Sequence, residues 1–329
     1  MKTLFSPSSV QGTVDEIDVR LCGLLILNSR TPYRELSDRL GLSLQAVHRR
    51  IQVMQQQGVI HGFPRGLSIG FVNPVVLYLF GTSSAASMDE AVAALHKDDR
   101  TYIVLVCARN YLSIGALLRD HSEIDDYVES ARRSARLTDL TVGLMSLTQF
   151  GTDEVGWADR EQEISTLDYR IIRALKEDAR RPVEEVASDL DISAATARRR
   201  LTRLTGIGAF SASLHWQPSA SGQIVAQLHI ALKEGADRSR IGSALTAKSA
   251  SRIISFISFS NLPRFLLLVV WASSMKELNE LVALAGAEDR VESASPNLVI
   301  AEYRFDTWME KRVAERASSH SRTSSDPAK

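Results

Sequence analysis

The sequence predicts an α+β fold in which one unit of helices and strands occurs twice in tandem. Three observations support this prediction: the chain repeats itself at a fixed offset, each copy opens with helical patterns, and each copy continues with alternating strands and helices. The chain has 329 residues, which is long enough for several small domains. Its hydrophobic content of 44% and charged content of 24% are those of an ordinary globular protein.

The repeat becomes visible when residue n is aligned with residue n+150. No gap is needed over residues 18–60. A shared helical period could match the apolar positions alone, but it would not also match prolines, glycines and a serine. We interpret the match as a duplicated unit of about 150 residues. The identical pairs include Asp18/Asp168, Arg20/Arg170, Pro32/Pro182, Leu40/Leu190, Ser43/Ser193, Arg49/Arg199, Arg50/Arg200 and Gly58/Gly208.

Each copy opens with three helical patterns. In the first copy, residues 15–28 carry apolar side chains on one face at the period of a helix. Pro32 marks the start of a second helix, and Gly41 supplies a left-handed turn after it. Ser43 then caps a third helix, which ends at Gly58 before the strand-like run VIHGF. This arrangement predicts a helix-turn-helix followed by a wing.

The second copy differs at the turn between its second and third helices. Asp191 occupies the position that corresponds to Gly41. Aspartate tolerates the left-handed backbone conformation better than most residues do. We therefore expect the second turn to keep its shape.

The remainder of each copy predicts the order β-α-β-β-α-β. That order is typical of a ferredoxin-like half-sandwich. The fold prediction is therefore a winged helix-turn-helix followed by a ferredoxin-like βαββαβ module, tandemly duplicated. The predicted elements lie at 74–80, 88–96, 102–108, 111–118, 120–135 and 140–148 in the first copy, and at 223–232, 238–248, 253–258, 265–271, 276–285 and 298–303 in the second.

Domain limits follow from these patterns and from two kinds of polar run. A polar run that contains glycine predicts a linker, and small polar residues predict disordered ends. The predicted segments are a disordered N-terminus (1–12), a first helix-turn-helix domain (13–70), a first ferredoxin-like module (71–150), a linker (151–164), a second helix-turn-helix domain (165–217), a second ferredoxin-like module (218–310) and a disordered tail (311–329).

Charge and cysteine content limit the classes of function. The formal net charge is zero, so binding to nucleic acid would have to come from local basic patches. Two cysteines are too few for a disulfide framework or a zinc site, and they fit a reducing cytosol. No apolar run approaches the roughly 20 residues that span a bilayer, so we expect a cytoplasmic protein without membrane contact.

The third helix of each copy carries the candidate functional residues. If its apolar residues face inward, its polar residues face outward, and residues near the N-terminus of such a helix reach base edges in the major groove. Arginine can bond guanine, glutamine can bond adenine, and helix-terminal groups can hold phosphates. The predicted DNA contacts are Ser43, Gln45, His48, Arg49, Arg50, Gln52 and, in the wing, Arg65, together with Ser193, Thr196, Arg198, Arg199, Arg200 and Thr202.

Two qualifications apply to this set. Arg50 and Arg200 lie one step toward the core side of the helix, which favours phosphate or structural contacts for them. A basic helix face can also be merely solvated. The double occurrence within a three-helix pattern favours the DNA-binding interpretation.

These motifs resemble those of the Lrp/AsnC transcription regulators. The resemblance rests on IDVRLCGLL with LSDRLGLSLQAVHRRIQVMQQQGVI, and on LDYRIIRALKEDARRPVEEVASDLDISAATARRRLTRL. It covers nearly the whole chain, twice. It implies a sequence-specific DNA-binding regulator that is not an enzyme and needs no cofactor or metal. It also implies that the second module dimerises and often binds an amino acid or a related small ligand.

The chain departs from that family in two respects. Family members usually carry one unit per chain, so this chain resembles a covalent pseudo-dimer, which we expect to assemble further as a homo-oligomer. The family's effector loop commonly has a Gly and an Asp that both loops of this chain lack. Polar residues in these loops could still bind an anionic ligand, although polar hairpin tips are common. The candidates are Arg109, Asn110, Asn261 and Arg264.

The main prediction is a regulator whose partner is double-stranded DNA with two half-sites. Two other functions compete with it. Fused chains of this architecture include siroheme decarboxylases, which act on a tetrapyrrole through His and Arg residues. The seven histidines of this chain are scattered, which disfavours such an enzyme. The other alternative is an interaction scaffold whose helix-turn-helix units no longer bind DNA, but the retained caps and arginines disfavour it.

Overall fold

The computed structural model describes residues 14–27, 29, 31–63, 65–146, 163–178, 180–212, 214–217, 220, 222–249 and 252–319. The helices are α1 (Glu16–Leu27), α2 (Tyr33–Leu40), α3 (Leu44–Gln56), α4 (Ile69–Val72), α5 (Met88–Leu95), α6 (Ile124–Ser134), α7 (Thr166–Ala174), α8 (Val183–Asp189), α9 (Ala194–Gly206), α10 (Arg238–Lys248), α11 (Met275–Gly286) and α12 (Trp308–Ser318). None of these described helices is long and apolar enough to cross a membrane.

The strands follow the predicted order in both copies. They are β1 (Ile60–Gly62), β2 (Arg65–Leu67), β3 (Val75–Ser83), β4 (Thr101–Cys107), β5 (Tyr111–Leu118), β6 (Leu137–Leu144), β7 (Phe210–Ala212), β8 (His215–Trp216), β9 (Ile224–Leu232), β10 (Ile253–Ser258), β11 (Phe265–Ala272) and β12 (Val291–Arg304). The predicted α+β fold with tandem duplication is confirmed. We call the elements up to β6 unit one and those from α7 to β12 unit two.

Both helix-turn-helix turns adopt the conformation that the sequence predicts. Gly41 has φ of 66° and Asp191 has φ of 54°, so both residues are left-handed. The Oγ atoms of Ser43 and Ser193 each accept a hydrogen bond of 3.1 Å from the backbone N–H three residues ahead. These caps satisfy N–H groups that the start of a helix leaves free. The third helix of each unit, α3 or α9, therefore begins at equivalent positions.

The wing strands of each unit pair with the wing strands of the other unit, which the sequence did not predict. Strand β1 of unit one pairs antiparallel with β8 of unit two, and β2 pairs antiparallel with β7. Apolar side chains follow this exchange: Trp216 of unit two lies in the core around α1–α3, and Leu67 of unit one lies in the core around α7–α9. Alternation along a strand reports its buried face but not its partner, so the sequence pattern could not reveal the exchange.

The two ferredoxin-like modules share one eight-stranded sheet with the order β10-β11-β9-β12-β4-β5-β3-β6. Strand β12 joins the modules, because its first part pairs with β9 and its last part, from Val299, pairs with β4. The sequence predicted only residues 298–303 of this strand. The preceding run VESASPN is polar and lacks a clear alternating pattern, so it gave no strand signal.

The outer strands of this sheet also meet each other. Met145, just after β6, forms an antiparallel bridge with Phe259, just after β10. The Asn261 side chain extends this contact: its Oδ1 accepts from the Leu144 N–H at 2.7 Å, and its Nδ2 donates to the Val142 carbonyl at 2.8 Å. The modules are thus joined twice, in the middle of the sheet through β12 and β4 and again where its two outer strands meet, so neither β6 nor β10 presents a fully free edge.

An aromatic cluster fills the space between the inner faces of the two modules. The His229 ring lies 5.3 Å from Phe80, 5.7 Å from Tyr111 and 5.1 Å from Phe265, measured between ring centroids. Phe259 packs 5.7 Å from both Phe80 and Phe265. Burial lowers the pKa of His229 to about 4, so its imidazole is neutral at physiological pH.

The predicted disordered tail 311–329 is wrong over its first part. Helix α12 runs to Ser318, and a capping box between Thr307 and Glu310 fixes its start. Trp308 is buried and donates from Nε1 to the Leu117 carbonyl at 2.8 Å. The sequence run TWME carries this capping signal, but the polar residues around it obscured the helix. Residues 1–12, 151–162 and 320–329 of the predicted linker and ends lie outside the described residues.

We expect Asn261→Ala to lower the free energy of unfolding by about 1–2 kcal/mol, because it removes two hydrogen bonds that close the sheet. Ser260→Ala is the matched control, since its hydroxyl makes one long bond of 3.3 Å to the Leu144 carbonyl. Denaturant unfolding measures both changes. Equal stabilities for the two variants would contradict the structural role of Asn261.

We expect His229→Phe to weaken the loss of stability in acid. Because the folded-state pKa of His229 lies below the unfolded value, the unfolded state binds more protons between about pH 6.5 and about pH 4. Stability is therefore lost as pH falls through that window, by up to about 3 kcal/mol from this group. Unfolding curves at several pH values measure the slope, and exposed His121→Gln serves as control. A wild-type slope in His229→Phe would refute the assignment.

Candidate nucleic-acid interface

Helices α3 and α9 bury one face each and present the other to solvent. In α3, Val47, Ile51 and Met54 are buried, and Ala197, Leu201 and Leu204 are their buried equivalents in α9. This inward face leaves the predicted polar residues on one outer face of each helix. The exposed members of the predicted set are Ser43, Gln45, His48, Arg49, Gln52, Ser193, Arg198, Arg199 and Thr202, whereas Thr196 is half-buried.

Arg50 and Arg200 form ion pairs within the protein, and their assignment to DNA stays a prediction. Arg50 Nη1 lies 2.8 Å from carboxylate oxygens of both Asp15 and Asp18. Arg200 Nη1 lies 3.3 Å from Oδ2 of Asp168, which is fully buried. In each unit this ion pair joins the third helix to the first. Both arginines therefore make the structural contacts that the sequence analysis considered for them.

The two aspartates that hold Arg50 have different pKa values. Burial raises the pKa of Asp18, even though Arg50 bonds to it. Burial also opposes ionisation of Asp15, but hydrogen bonds from the Asp18 N–H and from Arg50 outweigh it, so the pKa of Asp15 is lowered.

Arg49 and Arg199 are exposed and form no ion pair with another described residue. Arg198 differs from them, because its Nη2 lies 2.5 Å from Oε1 of Glu184 in the same unit. Both partners of this pair are exposed, and exposed pairs contribute little to stability. A phosphate could therefore replace Glu184 at little cost. Arg49 and Arg199 are the outward guanidinium groups that occupy equivalent positions in the two units.

Two exposed apolar residues on α3 were absent from the predicted contacts. Leu44 is 50% exposed and Val53 is 39% exposed. The positions correspond to Ala194 and Arg203 in unit two. A large apolar side chain on the outer face of such a helix can contact the methyl group of thymine. The signal was available in the sequence, since neither residue belongs to the inward-facing apolar set.

Arg65 lies in β2, and its backbone is paired with Ala212 of unit two. Its strand is therefore part of the exchanged ribbon and not of a free wing. Its side chain lies outside the described part of the chain, so a contact between Arg65 and DNA stays a prediction.

The four candidate ligand residues do not behave alike. Asn261 binds the backbone of β6, and Arg264 Nε donates to the Leu232 carbonyl at 2.9 Å while its Nη2 pairs with Glu292. Both residues bind neighbouring backbone or side-chain groups, and their assignment as ligand candidates stays a prediction. Arg109 and Asn110 lie exposed at the tip between β4 and β5, with φ of 60° and 57°. Neither bonds to another described residue.

Comparisons with known proteins agree with this geometry. Residues 14–61 match the family model for winged helix-turn-helix DNA-binding domains, and residues 164–205 match the AsnC-type helix-turn-helix domain. The HTH-type transcriptional regulator LrpA of Pyrococcus horikoshii is 34% identical over 50 residues, which are 15% of this chain and 36% of that protein. The chain therefore carries two helix-turn-helix domains, the second of the AsnC type, and it is similar to Lrp/AsnC-type regulators.

Two further similarities extend beyond one helix-turn-helix. The chain is 24% identical over 118 residues to an uncharacterised HTH-type transcriptional regulator of Pyrococcus abyssi, and this match covers 35% of the chain and 80% of that protein. The solved structure of the siroheme decarboxylase NirDL superposes with a TM-score of 0.58 at 12% identity, over 93% of this chain and 99% of that one. At that identity the likeness shows a shared fold.

Several curated relatives, such as LrpA, match the chain at a higher identity than the Pyrococcus abyssi protein does. The chain spans about a third of the length of these relatives. In those relatives the match is confined to about 50 residues. These matches therefore describe the helix-turn-helix domains and not the whole chain.

We expect Arg50→Gln to lower the free energy of unfolding by about 2 kcal/mol, because it leaves the largely buried Asp18 without its cation. Arg49→Gln is the matched control, and we expect it to change stability by less than about 0.5 kcal/mol since Arg49 is exposed and unpaired. Thermal and denaturant unfolding compare the two neighbours. A larger loss for Arg49→Gln would contradict the division between structural and outward arginines.

Proposed function

We propose that this chain is a sequence-specific DNA-binding transcriptional regulator whose two helix-turn-helix units bind two half-sites of one operator. The observation that carries the proposal is the pair of capped, outward-facing helices α3 and α9, each with an unpaired arginine at the same position, Arg49 or Arg199. In helix-turn-helix proteins, residues of this helix contact base edges in the major groove.

Electrostatics support this mode of binding despite the net charge of zero. Arg50 and Arg200 are paired with aspartates inside the protein, whereas Arg49 and Arg199 supply positive charge on the outer faces of α3 and α9. Each phosphate that the protein neutralises releases counterions, which lowers log K by about 0.9 per unit of log salt concentration. Affinity should therefore fall steeply with salt.

The two units are proposed to read their half-sites with different stringency. Unit one presents Gln45, His48, Arg49 and Gln52, which can bond base edges in several ways. In unit two, the equivalent of Gln45 is an alanine, and Arg198 is paired with Glu184. We infer that unit one reads the stricter half-site and that the operator is an imperfect palindrome.

Regulation of the proposed activity would come from a small anionic metabolite and from self-association of the chain. The candidate ligand residues are Arg109 and Asn110, at the hairpin tip between β4 and β5. Arg109 has a left-handed backbone, which costs a non-glycine residue roughly 1 kcal/mol. Such conformations often occur at functional sites. A ligand there could act only by favouring one arrangement of the chain over another.

A siroheme-decarboxylase-like enzyme is the second candidate, because the fold of NirDL matches nearly the whole chain. His229 is a partly buried histidine between the modules, but Phe80 and Phe265 pack against it, and Phe259 packs against both of these rings. A macrocycle would have to displace these rings. A tetrapyrrole absorption band in the purified protein would favour the enzyme over the regulator.

We expect genomic fragments selected by the purified protein to share a paired, slightly asymmetric motif. We expect Arg49→Ala to weaken binding to that motif by about 10-fold or more, because one good arginine contact to a base contributes about 1–3 kcal/mol. Arg199→Ala should weaken binding less. Arg132→Ala, which removes an exposed arginine on α6, controls for net charge.

The variants also separate the competing interpretations. A larger loss for Arg199→Ala than for Arg49→Ala would reverse the ranking of the two units. Absence of enrichment, or binding that does not depend on salt, would favour a scaffold without DNA-binding activity.

A further inference from the structure

Arg180 belongs to unit two but makes most of its contacts with unit one. It lies between α7 and α8, and its Nη1 donates to the carbonyl of Ser29 at 2.6 Å. Both Nη atoms also donate to the carbonyl of Thr31 at 3.3 Å. These two carbonyls lie between α1 and α2 of the first helix-turn-helix. The guanidinium group therefore satisfies backbone acceptors at the start of α2 in the other unit.

The same guanidinium group stacks on aromatic rings of unit one. Its central carbon lies 4.2 Å from the centre of the Tyr33 ring and 5.5 Å from the centre of the Phe63 ring. Tyr33 is the first residue of α2. The contact combines cation–π attraction with hydrogen bonds from a rigid planar fork of donors, a geometry that the compact ammonium of lysine does not reproduce.

Tyr33 passes this contact on to the DNA-facing helix. Its ring lies 4.2 Å from the His48 ring, with an angle of 68° between the two planes. His48 lies on the outer face of α3, where its side chain is exposed. Arg180, Tyr33 and His48 thus form a continuous stack from unit two to the outer face of α3.

Unit two has no matching stack among the described residues. The positions that correspond to Tyr33 and His48 are Val183 and Arg198, and Arg198 pairs with Glu184 of its own unit. The position that corresponds to Arg180 is Arg30, which lies outside the described residues. The described stack therefore runs from unit two to unit one.

We propose that Arg180 is a positioning residue through which unit two sets how unit one reads DNA. It holds Tyr33 against His48, so that the imidazole is already oriented when α3 enters the major groove. Fixing a contact side chain before binding reduces the entropy that is lost on binding. The inference rests on the proposed DNA-binding function and adds a dependence of the first half-site on the second unit.

The first test needs no DNA. Ring-proton NMR signals of His48 report its packing against Tyr33, and we expect Arg180→Lys and Tyr33→Leu to shift them in the full chain. Tyr33→Phe keeps the ring and should leave them close to wild type. Arg181→Lys is the matched control, because Arg181 pairs with Asp189 and Glu185 of its own unit. Unchanged His48 signals in Arg180→Lys would overturn the proposal.

The second test measures binding to the selected operator. We expect Arg180→Lys to weaken binding by about 5-fold or more and to reduce discrimination at one base pair of the first half-site, with the salt dependence unchanged. In the Tyr33→Leu background the same substitution should add little, because the stack is already broken. Arg181→Lys should bind like wild type.

The outcomes separate this proposal from the proposed function. If Arg180→Lys binds DNA with the affinity and the base discrimination of the wild type, the coupling is overturned. The proposed regulator function is then unaffected. Failure of the wild-type protein to bind any DNA overturns the regulator, and the coupling falls with it. A uniform loss of stability in Arg180→Lys, with His48 signals shifted but base discrimination retained, would assign Arg180 a structural role only.

Discussion

Exchange of strands between the two units is the constraint on which the arrangement of the molecule depends. Strand β1 pairs with β8, β2 pairs with β7, and β12 continues from the sheet of one module into that of the other. Backbone hydrogen bonds of a ladder need a fixed register, and a shift by one residue would turn every side chain to the wrong face. Each helix-turn-helix is thus held by strands of the opposite copy. Since both copies belong to one chain, their association costs none of the translational entropy that two separate subunits lose.

Duplication within one chain has allowed the two copies to differ where they face solvent. The ion pair between the third and first helices recurs at the same offset, as Arg50 with Asp18 and as Arg200 with Asp168. On the outer face, in contrast, His48 corresponds to Arg198. Positions inside each unit are restricted by packing in a way that outward positions are not. The outer residues are therefore where the specificity of the two units can diverge.

Local sequence signals predicted the elements well, because capping residues and periodicity act within a few residues. The left-handed turn at Asp191 and the capped start of α9 at Ser193 followed from such signals. Contacts between residues that are distant in the sequence did not follow from local signals, because periodicity identifies a buried face but not the element that covers it. The exchange of β1 with β8 and the use of Asn261 to close the sheet are of this second kind. The role of Arg50, in DNA contact or in structure, was ambiguous for the same reason, because the aspartates that bind it are distant in the sequence.

The most direct test of the account is to measure how affinity depends on the spacing between the two half-sites. Because exchanged strands join the units in one body, they cannot rotate independently to follow half-sites on different faces of the duplex. Inserting about 5 base pairs, half a helical turn, should abolish the advantage of the paired site, and inserting about 10 should restore part of it. Affinity that is indifferent to spacing, with each half-site bound as well alone as paired, would contradict the account.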